Sequence, residues 1–179
     1  TLAEYIYDDD SAEAGTDLGT GQQVALKVTP CYAPDQDTAS LYQIKFYVYE
    51  TGGMNPIIRV FDDNGENGMP GDQLFQTVVD INTIEEEAWN TITLDEMIDF
   101  TEGAFYISYM GLNNGIALGI DEDTVGRTYY QDGTWSYSDA GNVMFRAIME
   151  QYGMGTDEDN DVSVAKAFSV TNYPNPFNP

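Results

Sequence analysis

Histidine is absent from the 179 residues, cysteine occurs once, and 6 lysines and arginines face 31 aspartates and glutamates, a formal net charge of −25. Each shortage excludes a class of chemistry. Without imidazole there is no Ser/His/Asp or Cys/His catalytic unit, no histidine general base and no His-ligated zinc. With so few cations no phosphate-tracking surface can be built, so nucleic acid is excluded as a partner. No apolar run approaches the ~20 residues of a membrane span, and Thr1-Leu2-Ala3-Glu4-Tyr5 lacks the charged and apolar regions of a signal peptide. The chain is therefore expected to be soluble, not inserted in a membrane, and trimmed or excised. Cys31 has no partner for an intramolecular disulfide and, between Pro30 and Tyr32, is expected to be a small buried hydrophobe. No nucleophile motif, phosphate loop or zinc spacing occurs, which leaves a non-catalytic role as the expectation.

What is present is core material: 42% of the residues are hydrophobic and 13% aromatic, more than a disordered polyanion carries. Val24, Leu26 and Val28 alternate with Gln23, Ala25 and Lys27, the period-2 pattern of a half-buried strand. Similar β-branched and aromatic stretches recur at 41–50, 56–61, 74–79, 89–94, 104–110, 116–120, 127–130, 134–137 and 143–149. Asn-Gly, Asp-Gly and Gly-Gly pairs between them supply turns. About ten short strands without a sustained helical period predict an all-β fold, an antiparallel β-sandwich of jelly-roll type in preference to a closed barrel. The sandwich is expected over 1–152, an acidic flexible linker over 153–167 and a proline-rich extended tail over 168–179.

Two kinds of residue are candidates for binding. Asp132-Gly133 joins Arg127–Tyr130 to Thr134–Tyr137 in the strongest hairpin signal, and its strands are dense in aromatics. Tyr129 and Tyr130 must face opposite ways while Trp135 and Tyr137 share a side. Cross-strand packing accounts for such a set, and so does a sugar-stacking surface. In the second case Trp135, Tyr137 and Tyr130 would touch ligand, with Asn113 and Asn114 fixing orientation. The acidic loops are the other candidates. Carboxylates crowded in one loop repel unless a cation or solvent separates them, so a hard oxygen-seeking ion, Ca²⁺, is the expected occupant. Its ligands would come from Asp8, Asp9, Asp10 and Glu13, with Asp62 and Asn64 in a second loop that departs from the EF-hand pattern at its sixth and twelfth positions.

Asn172-Tyr173-Pro174-Asn175-Pro176-Phe177-Asn178-Pro179 resembles the opening of the C-terminal sorting domain of proteins exported by the type IX route of Bacteroidetes and related phyla. That resemblance implies export from a Gram-negative-type bacterium to the cell surface or beyond. The body resembles a recurrent module of such secreted proteins through Tyr7–Glu13, Val24–Pro30, Ile58–Asn64 with Met69–Asp72, Phe105–Ser108, Leu118–Asp121 and Met144–Ile148. Asp10 stands where the first of these motifs usually has glycine. The module is similar to galactose-binding-like jelly rolls and cleaved adhesin domains, which implies calcium-braced loops and adhesion or binding of polysaccharide or cell-surface glycan. The rival expectation is a structural subunit or spacer, a homo-oligomer or filament that assembles by pairing of strands such as Leu2–Tyr7 and the tail.

Overall fold

The computed structural model describes residues 2–32 and 38–151, with Gln151 described by its backbone alone. The linker and tail expected over 153–179 lie outside the described residues. Among the described residues the chain forms β1 (Leu2–Tyr5), β2 (Ala14–Gly15), β3 (Gln23–Val28), β4 (Ala39–Glu50), β5 (Ile57–Asp62), β6 (Gln73–Val78) and β7 (Ala88–Phe100). It continues through β8 (Phe105–Met110), β9 (Ala117–Asp121), β10 (Thr128–Asp132), β11 (Thr134–Ser138), β12 (Asn142–Val143) and β13 (Phe145–Gln151). Among the described residues only two single-turn 3-10 segments interrupt this pattern, Glu66–Gly68 and Ile81–Thr83. No described helix is long and apolar enough to cross a membrane.

The strands make two antiparallel sheets, one of seven strands in the order β1-β13-β4-β9-β12 with β7 and β2 attached to β4 and β9, the other of six in the order β11-β10-β3-β8-β5-β6. From β3 onward the chain crosses repeatedly between them, as in an antiparallel β-sandwich. Alternation decides what each face holds. Val24, Leu26 and Val28 of β3, Ile58 and Val60 of β5, and Ile107 and Tyr109 of β8 point inward to meet Leu41, Ile44, Phe46, Phe145 and Ala147 of the other sheet. Phe100 and Phe105 stack within this core at 4.2 Å between centroids. Burying such side chains contributes roughly 1.5–3 kcal/mol each, which supplies the stability that disulfides do not.

The residues between them point outward, and the two outer faces differ in kind. On the six-stranded sheet, Phe61 of β5 and Trp135 of β11 lie 6.0 Å apart between ring centroids. Four strand spacings separate those strands, about 19 Å in a flat sheet, so the sheet coils and the β10–β11 hairpin leans over its own outer face. The hairpin register centres on Gly133, whose φ of 81° suits a residue without Cβ. Cys31 is exposed, contrary to the buried hydrophobe expected; its segment runs along the surface, with its N–H donating to Tyr5 Oη at 2.9 Å.

Candidate functional site

Arg146 is the only charged residue in the inner run of β13, and it points to the outer face of the seven-stranded sheet beside Lys45 of β4, its cross-strand partner. There its guanidinium donates to Asp8 through both Nε and Nη2, and Nη2 also donates to Asp10 Oδ1 at 2.8 Å. Its plane covers Trp89 at 4.0 Å from the ring centroid, and the Trp89 indole N–H donates to Asp10 Oδ1 at 2.9 Å. Glu4 completes the cluster, 2.9 Å from Lys45 Nζ and 3.9 Å from Arg146 Nη1. The indole hydrogen bond, with Arg146 behind it, holds the Asp10 carboxyl below its ordinary value of 3.8. Asp10 sits at φ 75°, a backbone conformation that glycine adopts without strain.

The cation that keeps these carboxylates together is thus a guanidinium. Asp8 has a side chain only 2% exposed, bound bidentately by Arg146, so an added Ca²⁺ there would press against a fixed positive charge. The residues do not fit a metal at this point. Asp9 instead accepts from Ser11 N–H, and Glu13 accepts from Ser11 Oγ and Glu122 N–H. Buried Asp121 is satisfied by the N–H groups of Asp9, Asp123 and Thr124. In the second loop Asp62 accepts from Asp63 N–H, while Asn64 clamps Asp72 through its amide oxygen and nitrogen at 2.9 Å each. Among the described residues no three His, Cys, Asp or Glu side chains are grouped to hold a metal ion.

The outer face of the six-stranded sheet is built differently. A row of neutral acceptors crosses it around one cation. Arg59 of β5 donates from Nε to Gln76 Oε1 of β6 at 2.9 Å and from Nη1 to Gln23 Oε1 of β3 at 3.2 Å. Ser108 Oγ of β8 donates to the same Gln23 oxygen at 3.3 Å, and Gln23 Nε2 donates to Gln131 Oε1 of β10. Two of the five guanidinium N–H groups are used this way, which leaves three. Alongside runs an aromatic row in which Tyr129 meets Tyr106 and Tyr137 edge to face at 5.2 and 5.8 Å. Trp135 is half-buried against Phe61, whereas Tyr137 is 50% exposed. The loop after β5 closes one end: Tyr106 Oη donates to Gly68 O at 2.5 Å, and Lys27 Nζ, 5.4 Å from the Tyr106 ring centroid, reaches the same carbonyl at 3.5 Å. Burial pushes the Tyr106 hydroxyl well above its ordinary value of 10.0, with Tyr129 adding to the shift.

Of the predicted ligand contacts, Trp135 and Tyr137 share this outer face. Tyr130 does not belong with them. It points inward and packs against the inter-sheet core, where burial raises its pKa. Asn113 and Asn114 are exposed on the turn after β8; Asn114, at φ 58°, accepts Gly53 N–H through its backbone and borders a shallow cleft of about 230 Å³ rather than the aromatic row. Sequence reasoning missed Arg59, Gln23, Gln76 and Gln131. The available signal was a single arginine in the otherwise apolar run Ile57-Ile58-Arg59-Val60.

No protein-family model, curated protein or solved structure matches the chain. What fold and geometry define is a class: an antiparallel β-sandwich with one outer face locked by ion pairs and the other carrying amide, guanidinium and aromatic groups.

Proposed function

We propose that this protein is a non-catalytic binding module of the bacterial cell surface or extracellular space that attaches to polysaccharide or surface glycan through the outer face of its six-stranded sheet. One observation carries the reading: the hydrogen-bonded row Gln131, Gln23, Arg59 and Gln76 lies on the same face as the rings of Trp135 and Tyr137. A sugar ring presents an apolar C–H face, which an aromatic ring covers, and a rim of hydroxyls, which amides and a guanidinium satisfy. Gln76 and Tyr137 are exposed, Arg59 and Gln131 are part-exposed, and Gln23 and Tyr106 lie buried beneath them, so contact would fall on an exposed rim, which suits an extended polymer more than an enclosed small molecule. The resemblance of the tail to a sorting signal supports export. Depletion of the purified protein by a panel of insoluble polysaccharides and cell-wall preparations tests the reading. Selective, competable depletion is expected, with loss in Tyr137→Ala at unchanged stability; no depletion by any of them rejects it.

A second reading, assembly by strand pairing, is favoured by β6, which ends the six-stranded sheet with no further strand beside it among the described residues. Gln73–Val78 carries no charge and no proline, and exposes Leu74 and Val78 at 42% and 55%, without the devices that usually protect an edge. A protein that stays monomeric in size-exclusion chromatography at high concentration would exclude it.

A further inference from the structure

The distribution of the few cations narrows the ligand. Five of the six basic residues lie in the described chain, and every ion pair among the described residues involves Lys45 or Arg146 on the seven-stranded sheet. Lys27 and Arg59 point outward from the other sheet and, among the described residues, have only neutral acceptors, the carbonyl of Gly68 and the amides of Gln76 and Gln23. Arg127, before β10, also has no acidic partner among the described residues; its guanidinium bonds Lys27 O and Thr29 Oγ1 and stacks on Tyr7 at 4.1 Å. In a chain with 31 acids in 179 residues, a cation without a carboxylate partner is an exception. The outward positions of β3, β5, β6 and β8 carry no acidic residue at all.

Resting on the glycan reading above, we infer that the ligand is a carboxylate-bearing polysaccharide, a polyuronate, whose carboxylate takes the unspent N–H groups of Arg59. A guanidinium edge matches the two oxygens of a carboxylate in a bidentate pair, and here two amide oxygens already fix its orientation. The neighbouring amides of Gln76 and Gln131 take sugar hydroxyls. Lys27 lies two strands and two residues away, about 12 Å by strand spacing, so one polymer chain can place a second carboxylate near it. The acids of the seven-stranded sheet do not forbid this. At physiological ionic strength the Debye length is about 8 Å, so charge on the opposite sheet is largely screened while a contact pair is not.

The test compares polygalacturonate with its fully methyl-esterified form and with dextran sulfate, by affinity electrophoresis or calorimetry at 0.15 M salt on wild type, Arg59→Gln, Arg59→Lys and Lys27→Gln. Polygalacturonate is expected to bind about tenfold more tightly than the ester, a difference that Arg59→Gln removes, Arg59→Lys partly restores and Lys27→Gln reduces by a smaller factor, about threefold. Equal binding of acid and ester overturns the carboxylate assignment while the glycan reading stands. Binding of dextran sulfate as tight as polygalacturonate also overturns it, since charge alone would then suffice. Binding of none of the three polymers overturns the carboxylate assignment and counts against the glycan reading, which the wider depletion panel decides. The wild-type comparison decides the matter even if a variant fails to fold.

Discussion

Arg146 and Arg59 occupy equivalent places: each is a single arginine in an apolar strand, Phe145-Arg146-Ala147-Ile148 in one sheet and Ile57-Ile58-Arg59-Val60 in the other, and each points outward. Arg146 is claimed by Asp8, Asp10 and Glu4 and roofed onto Trp89, while Arg59 is held by two amides and left with charge to spend. The same residue in the same kind of strand is therefore a brace in one sheet and a site in the other. What separates them is whether the connecting loops bring acids back over the strand.

The largest effect should come from breaking the brace. Arg146→Ala strands Asp8 as a buried unpaired charge and is expected to cost about 3 kcal/mol or more in urea unfolding, whereas Arg59→Ala, which strands only amides, should cost about 1 kcal/mol. Equal costs would erase the distinction between the faces. Next in size is pH. Asp10 has a lowered folded pKa, so its contribution is present above pH 3.8 and is lost as pH falls through the folded value. Tyr109, an inward residue of the six-stranded sheet donating to Ile116 O, is pushed by burial from 10.0 up to about 12. Its contribution is complete below pH 10.0 and is lost as pH rises through about 12. Acid should therefore loosen the Trp89 side first and alkali the Tyr109 side, which backbone NMR signals of β13 and of β8 can separate.

Much of the fold follows from alternation. The period-2 residues of 22–29 and 41–50 become β3 and the core of β4, and the expected hairpin forms as β10 and β11. The continuation of β7 through Leu94-Asp95-Glu96-Met97-Ile98-Asp99-Phe100 was not legible, because its acids face solvent at an edge and only Leu94 and Phe100 are buried. The two-residue strands β2 and β12 have no pattern of their own; they exist because β9 offers them a ladder. Site residues were harder still. Crowded carboxylates at 8–13 announce a cation, but that the cation is Arg146, more than 130 positions away, is set by tertiary structure alone. The glutamines beside Arg59 carry no local signal, since an amide in a strand reads as ordinary surface.

Trp135→Ala should cost about 1–2 kcal/mol, because the indole is half-buried and its edge-on pair with Phe61 goes with it, and should end glycan binding in the depletion assay. Asp10→Gly is expected to change stability by less than about 1 kcal/mol in urea unfolding, since relief of the left-handed backbone offsets loss of a largely exposed ion pair. The smallest shift belongs to calcium: with Asp8 held bidentately by Arg146 and Asp10 shared between Arg146 and the Trp89 indole, adding Ca²⁺ or a chelator should leave the thermal midpoint unchanged. A clear rise with Ca²⁺ would show that a metal, and not the guanidinium alone, organises the acidic loops.

The most direct test is a ¹H–¹⁵N NMR titration with a soluble oligogalacturonate, following the Arg59 Nε–H signal and the backbone. The expected result is saturable shifts at Arg59, Gln76, Gln23 and Trp135, with the strands around Arg146 unmoved. Shifts centred on residues 8–13 and Arg146, or no shift anywhere, would contradict the assignment of brace to one sheet and site to the other.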